Sequence, residues 1–92
     1  MRWGAHTARV HARSWDGELV VYHEYTGETH WLNPLAAVIF ETIRRRGSCT
    51  AAELEAEIGP LLQDEDRARV TTVAESAIST LRQLQLVEPL PA

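Results

Sequence analysis

At Asn33-Pro34 the rhythm of the chain changes, and this junction constrains the fold more than any other feature. Before it, β-branched and aromatic residues recur in short alternating runs broken by Asp16-Gly17 and Thr26-Gly27. After it, apolar residues recur every third or fourth position, the period of a helix buried along one side. Asn33 is a good N-cap, and Pro34 suits the first helical position, where its missing N–H costs nothing. A chain that makes strands first and helices afterwards reads as α+β, with an antiparallel sheet covering a cluster of helices.

An Asp-Gly pair between β-prone runs suits a two-residue type I′ hairpin, because both central residues need positive φ. Thr-Gly is a weaker version, since threonine tolerates that region poorly. Taking both as two-residue turns pairs Trp15 with Glu18, Arg13 with Val20 and His11 with Tyr22. Across the second turn it pairs Tyr25 with Glu28, His23 with His30, Tyr22 with Trp31 and Val21 with Leu32. Alternation then sorts the side chains onto two faces. Val10, Ala12, Ser14, Leu19, Val21, His23, Tyr25, His30 and Leu32 share the more aliphatic face, expected to pack on helices. Arg9, His11, Arg13, Trp15, Val20, Tyr22, Glu24, Thr29 and Trp31 share an aromatic, charged face suited to partial exposure, with Tyr22 stacked on Trp31. The meander order leaves residues 28–33 on one edge of the sheet and residues 9–15 on the other.

The first helix is expected from Pro34 to the arginines at 44–46, which oppose the negative end of its dipole, with Gly47 closing it. Leu35, Val38, Ile39, Thr42 and Ile43 lie along one side. Thr50 and Glu53 have the spacing of a capping box for a second helix. Cys49 and Leu54 have the spacing of a hydrophobic staple, and Gly59-Pro60 ends or kinks that helix. A third helix is expected over residues 64–86, where Val70, Ala74, Ala77, Leu81 and Leu84 draw a stripe broadened by Val73 and Ile78. The layout is β-β-β-α-α-α, a winged-helix-like arrangement in a single domain spanning residues 1–92, with its core from about residue 9 to 89.

Composition removes several function classes. Nine basic residues, all arginine, against thirteen acidic ones leave a net charge of −4, the wrong sign for a default nucleic-acid or membrane-surface binder. No apolar run is long enough to cross a bilayer, and the first residues have no apolar core for a signal peptide. Cys49 is the single cysteine, which fits a reducing compartment, so a cytoplasmic location is expected.

Chemistry-bearing residues are few. His23 and His30 are cross-strand neighbours in the register above, and Cys49 could add a third ligand, but no metal-binding spacing accompanies them. No cofactor is expected. No phosphate loop or nucleophile elbow is present, and Cys49 reads as a small packing residue, so no enzyme activity is expected. Arg44, Arg45 and Arg46, with Arg67 and Arg69, would be the phosphate contacts of a winged-helix nucleic-acid binder. The second helix, however, carries three glutamates and no arginine, a poor surface for a major groove.

The edge strand remains. Residues 28–33 carry no internal proline or lysine to discourage pairing, and Trp31 and Leu32 point to opposite faces. Proteins normally blunt such an edge, so an open one points to a guest strand added there. The guest's register would come from the main chain of Glu28, Thr29, His30, Trp31 and Leu32. Its apolar side chains would enter a trough on the third helix lined by Val70, Val73, Ala77 and Leu81. Two other arrangements use the same edge: the C-terminal "LVEPLPA" folded back over it, or two copies paired edge to edge as a homodimer.

These segments also resemble a known family. "WDGELVVYHEYTGETHWLNPLAAVIFETI", "GSCTAAELEAEI" and the closing "LRQLQLVEP" are similar to the PqqD-like family of RiPP (ribosomally made, modified peptide) recognition elements. The similarity runs from about Val10 to Pro89. It is strongest toward the subgroup described as PqqD family peptide chaperones, encoded beside an HPr-kinase-related kinase. The resemblance implies a winged-helix-like fold without catalysis, which holds a leader peptide against its third strand beside the third helix for a modifying enzyme. Carried onto this chain, it implies Glu28, Thr29, His30, Trp31 and Leu32, with Val70, Val73, Ala74, Ala77 and Leu81 as the wall.

Overall fold

The computed structural model describes residues 2–5, 10–16 and 18–91. The elements in order are β1 (Arg2–Ala5), β2 (Val10–Trp15), β3 (Glu18–His23), β4 (Glu28–Leu32), α1 (Pro34–Arg46), β5 (Cys49–Thr50), α2 (Ala51–Ile58), α3 (Asp64–Arg67), α4 (Val70–Gln83) and β6 (Val87–Leu90). A single 3₁₀ turn, Gly59–Leu61, follows α2. The fold is α+β, as the change of period at Asn33 requires.

The larger sheet runs β2-β3-β4, so among the described residues β2 and β4 are its edges. Its first hairpin has the expected register, from Trp15 opposite Glu18 to His11 opposite Tyr22. Asp16 sits at φ 53, as the first centre of a type I′ turn must, while Gly17 and Arg9 lie outside the described residues. The second hairpin differs. His23 faces Glu28, Tyr22 faces Thr29, Val21 faces His30 and Val20 faces Trp31, a slip of two residues from the expected pairing. The cause is the turn. Glycine takes the positive-φ position alone, at φ 71, and the loop widens to residues 24–27, with the Gly27 N–H donating to the His23 carbonyl at 2.8 Å. Because the slip is even, every side chain still in a strand keeps its face, but Tyr25, expected on the inner face, lies in the loop and is exposed. Tyr22 therefore stacks beside His11, ring centroids 6.3 Å apart, and not on Trp31.

Val10, Leu19, Val21 and Leu32 on the inner face are buried with Ile39, Phe40 and Ile43 of α1, Leu54 and Ile58 of α2, and Ala74, Ile78 and Leu81 of α4. The outer face leaves Trp15 and Trp31 about three-fifths exposed. Asn33 caps α1 through its side chain, which accepts from the Ala36 N–H at 2.8 Å. Thr50 and Glu53 form the capping box of α2. The third helix is broken: α3 ends at Arg67, and α4 begins only at Val70, where the apolar stripe begins. Residues 63–69 carry only Ala68 as an apolar residue, which is exposed, and none of them is more than half-buried.

A second small sheet, β5-β1-β6, was not anticipated. It joins Trp3 to Cys49 on one side and to Pro89 on the other. Pro89 is accommodated because β6 is an edge strand. Gly4 packs closely on β6: a Cβ there would lie 3.0 Å from the Leu90 side chain, which would have to give by a few tenths of an ångström. The segment carrying residues 87–90 thus pairs with β1 and does not fold back on β4.

Candidate functional site

The exposed edge of β4 and the flank of α4 bound one region. Near the start of β4, the His23 ring reaches the Gln85 carbonyl just past the end of α4, at 3.1 Å. At the far end, Asn33 follows β4 directly and opens onto a hollow of about 380 Å³. Leu35 and Ala36 of α1 line one side of it, and Thr72, Val73, Ser76, Ala77 and Thr80 of α4 line the other, with Arg69 at the rim. The floor is apolar and the rim carries hydroxyls, while β4, which ends beside Asn33, pairs with β3 alone among the described residues. Such an arrangement can hold an extended chain by backbone hydrogen bonds and receive one or two apolar side chains.

The expected site residues divide by position. On β4, Glu28, Thr29 and Trp31 are exposed, His30 is half-buried with Nε2 3.4 Å from the Glu28 carboxylate, and Leu32 is buried in the core. On α4, Val73 and Ala77 line the hollow. Ala74 and Leu81, at 1% and 0% exposure, do not: they point into the core, as does most of Val70. The reason is angular, since only the margin of an apolar stripe can face a neighbouring groove while its centre faces the core. The wall residues that sequence reasoning missed are Leu35, Ala36, Thr72, Ser76 and Thr80. The last three repeat every fourth residue along the border of the stripe, a signal that was available but unassigned.

The remaining candidates have structural partners. Cys49 is fully buried, its thiol 3.9 Å from the Thr42 carbonyl, and burial pushes its pKa up against the opposing pull of Arg46, so the inert thiol form dominates. Glu53 is held below the usual carboxylate range, first by hydrogen bonds from the Thr50 N–H and hydroxyl, then by Arg2 and Arg46. Glu53 and Glu57 are not merely solvated: they meet Arg46 at 3.3 and 2.7 Å. His23 and His30 are not cross-strand partners, and among the described residues no three His, Cys, Asp or Glu side chains cluster as a metal site. No helix among the described residues is long and apolar enough to cross a membrane.

Comparison with known proteins places the fold. No family model and no curated protein matches the chain. Among solved structures it is similar to TbiB1, determined in complex with the TbiA(beta) leader peptide, with a TM-score of 0.77 and 20% identity. The match covers 97% of this chain and 99% of that one. At that identity the likeness is one of fold, and it extends over the whole domain: this chain has the fold of TbiB1.

Proposed function

We propose that this protein is a non-catalytic peptide-binding module that takes an extended segment as an added strand on β4. The guest's side chains enter the hollow between α1 and α4, and the bound segment is presented to a modifying enzyme. One observation carries the reading: β4 is an edge strand among the described residues and is followed directly by Asn33 at a largely apolar hollow, within a fold whose solved counterpart was captured with a leader peptide. A leader peptide or a segment of a partner protein is the ligand class, in the cytoplasm. An HPr-kinase-related kinase is the first enzyme to test as the recipient, on the strength of the sequence resemblance.

The test is an amide NMR titration of the labelled chain with peptides selected against it from a displayed library, and separately with a DNA duplex. Shifts confined to residues 28–33 and 72–80 on adding peptide support strand addition. Shifts at residues 28–32 that depend on protein concentration and not on peptide would favour edge-to-edge dimers instead. Changes centred on Arg44, Arg45 and Arg46 with DNA, and none with peptide, would overturn the reading.

A further inference from the structure

We infer that His23 is a positioning residue for this site: as a neutral ring carrying its proton on Nε2, it holds the start of β4 against the end of α4 and so sets the width of the trough between them. This rests on the peptide-binding reading of the β4 edge.

His23 is the last residue of β3 and faces Glu28, the first residue of β4, yet it is only 4% exposed. Its Nε2 lies 3.1 Å from the Gln85 carbonyl oxygen, which can only accept, so Nε2 carries the proton. Its Nδ1 lies 3.2 Å from the Tyr25 backbone nitrogen, which can only donate, so Nδ1 is bare. Both nitrogens are engaged, in opposite senses, and the pair of bonds selects one tautomer of the neutral ring.

The anchor on α4 is itself specific. The Leu86 N–H donates to the Leu81 carbonyl at 2.9 Å and the Gln85 N–H to the Arg82 carbonyl at 3.0 Å, which together make a Schellman closure of α4. Its left-handed position is normally glycine, but here it is Gln85 at φ 61. That conformation is strained for a non-glycine residue, and the His23 hydrogen bond to the Gln85 carbonyl helps to hold it. One imidazole thus joins the turn that begins β4 to the turn that ends α4, 62 residues apart in sequence.

The experiment uses the full chain. The probe is a peptide selected from a displayed library on the wild-type chain. Long-range ¹⁵N couplings of His23 should report the Nε2–H tautomer, and Nδ1–H would overturn the inference. His23→Gln keeps a donor for the Gln85 carbonyl and should bind like wild type. His23→Leu, without either bond, should lose about tenfold. Full binding by His23→Leu, or a loss in His23→Gln equal to that in His23→Leu, would overturn the inference. If no peptide shifts the β4 amides, the binding reading has failed and the ring is judged separately. Displaced amides at residues 28–32 and 72–80 in His23→Leu, restored in His23→Gln, still support it, and unchanged amides overturn it.

Discussion

The Arg46 guanidinium lies 2.7 Å from Glu57 and 3.3 Å from Glu53, clamping the last turn of α1 onto the outer side of α2. Arg45 adds a longer contact to Glu57 at 4.0 Å, and Arg44 pairs with Glu41 at 3.3 Å. The three arginines that most resemble a phosphate-binding run are therefore neutralised by their own neighbours.

From that pairing, a DNA duplex at physiological salt is expected to produce no saturable binding and no steep salt dependence, measured by fluorescence anisotropy across a salt series. Arg46→Ala should lower stability by no more than about 1 kcal/mol, because partly exposed pairs gain little over water. Duplex binding abolished by that substitution would contradict the assignment.

Filling the hollow should abolish guest binding without unfolding the domain. Ala77→Trp projects a large ring from the margin of α4 into the space lined by Leu35 and Val73. Val73→Asp places an unpaired carboxylate against the same apolar wall. Each should weaken a selected peptide at least about tenfold by calorimetry, which is about 1.4 kcal/mol. Thr71, exposed and absent from the hollow lining, is the control position, and Thr71→Ala should bind normally.

The capping box predicts an acid-sensitive contribution of known sign. Hydrogen bonding lowers the folded-state pKa of Glu53, so its stabilisation is fully present above the unfolded value of about 4.3 and is lost as pH falls through the lowered folded value. Thr50→Ala removes the hydroxyl that accepts from the Glu53 N–H and donates to its carboxylate. It should cost about 1 kcal/mol at neutral pH, or roughly 4–8 °C in Tm for a domain of this size. The acid limb of thermal unfolding should shrink with it. An unchanged limb would assign the acid sensitivity elsewhere.

Gln85→Gly should stabilise the domain. At φ 61 the glutamine side chain is strained, whereas glycine is not, and the carbonyl that receives His23 belongs to the backbone and survives the substitution. A gain of up to about 1 kcal/mol in urea denaturation is expected. A loss would mean that the Gln85 side chain holds something the backbone does not.

The helix caps were legible locally, whereas the Thr26-Gly27 turn and the break between α3 and α4 were not. Asn33 accepts from Ala36, Thr50 and Glu53 cap α2 reciprocally, and Gly47 closes α1 at φ 86. The aliphatic core of the inner face, Val10, Leu19, Val21 and Leu32, also sorted correctly, because burial follows the parity of the register and the second hairpin slipped by an even number. Legibility ended where a contact joined distant segments. The strand Arg2–Ala5 exists by pairing with residues 49–50 and 87–90, and nothing within "RWGA" announces it. Ala74 and Ala77 belong to the same stripe, but one is core and the other is groove, depending on where α1 sits.

The sequence by itself therefore determined the three-stranded meander of β2, β3 and β4, the change to helices at Asn33, the caps of α1 and α2 and the buried face of the meander. Each of these depends on φ preference, side-chain reach or alternation within about ten residues. Only the tertiary structure decided that residues 87–90 pair with β1, that Val73 and Ala77 meet Leu35 and Ala36 as the wall of the hollow, and that His23 closes onto Gln85. Those contacts are set by how preformed elements exclude water from a shared core. That packing depends on the whole set of side chains at once, so no single segment encodes it.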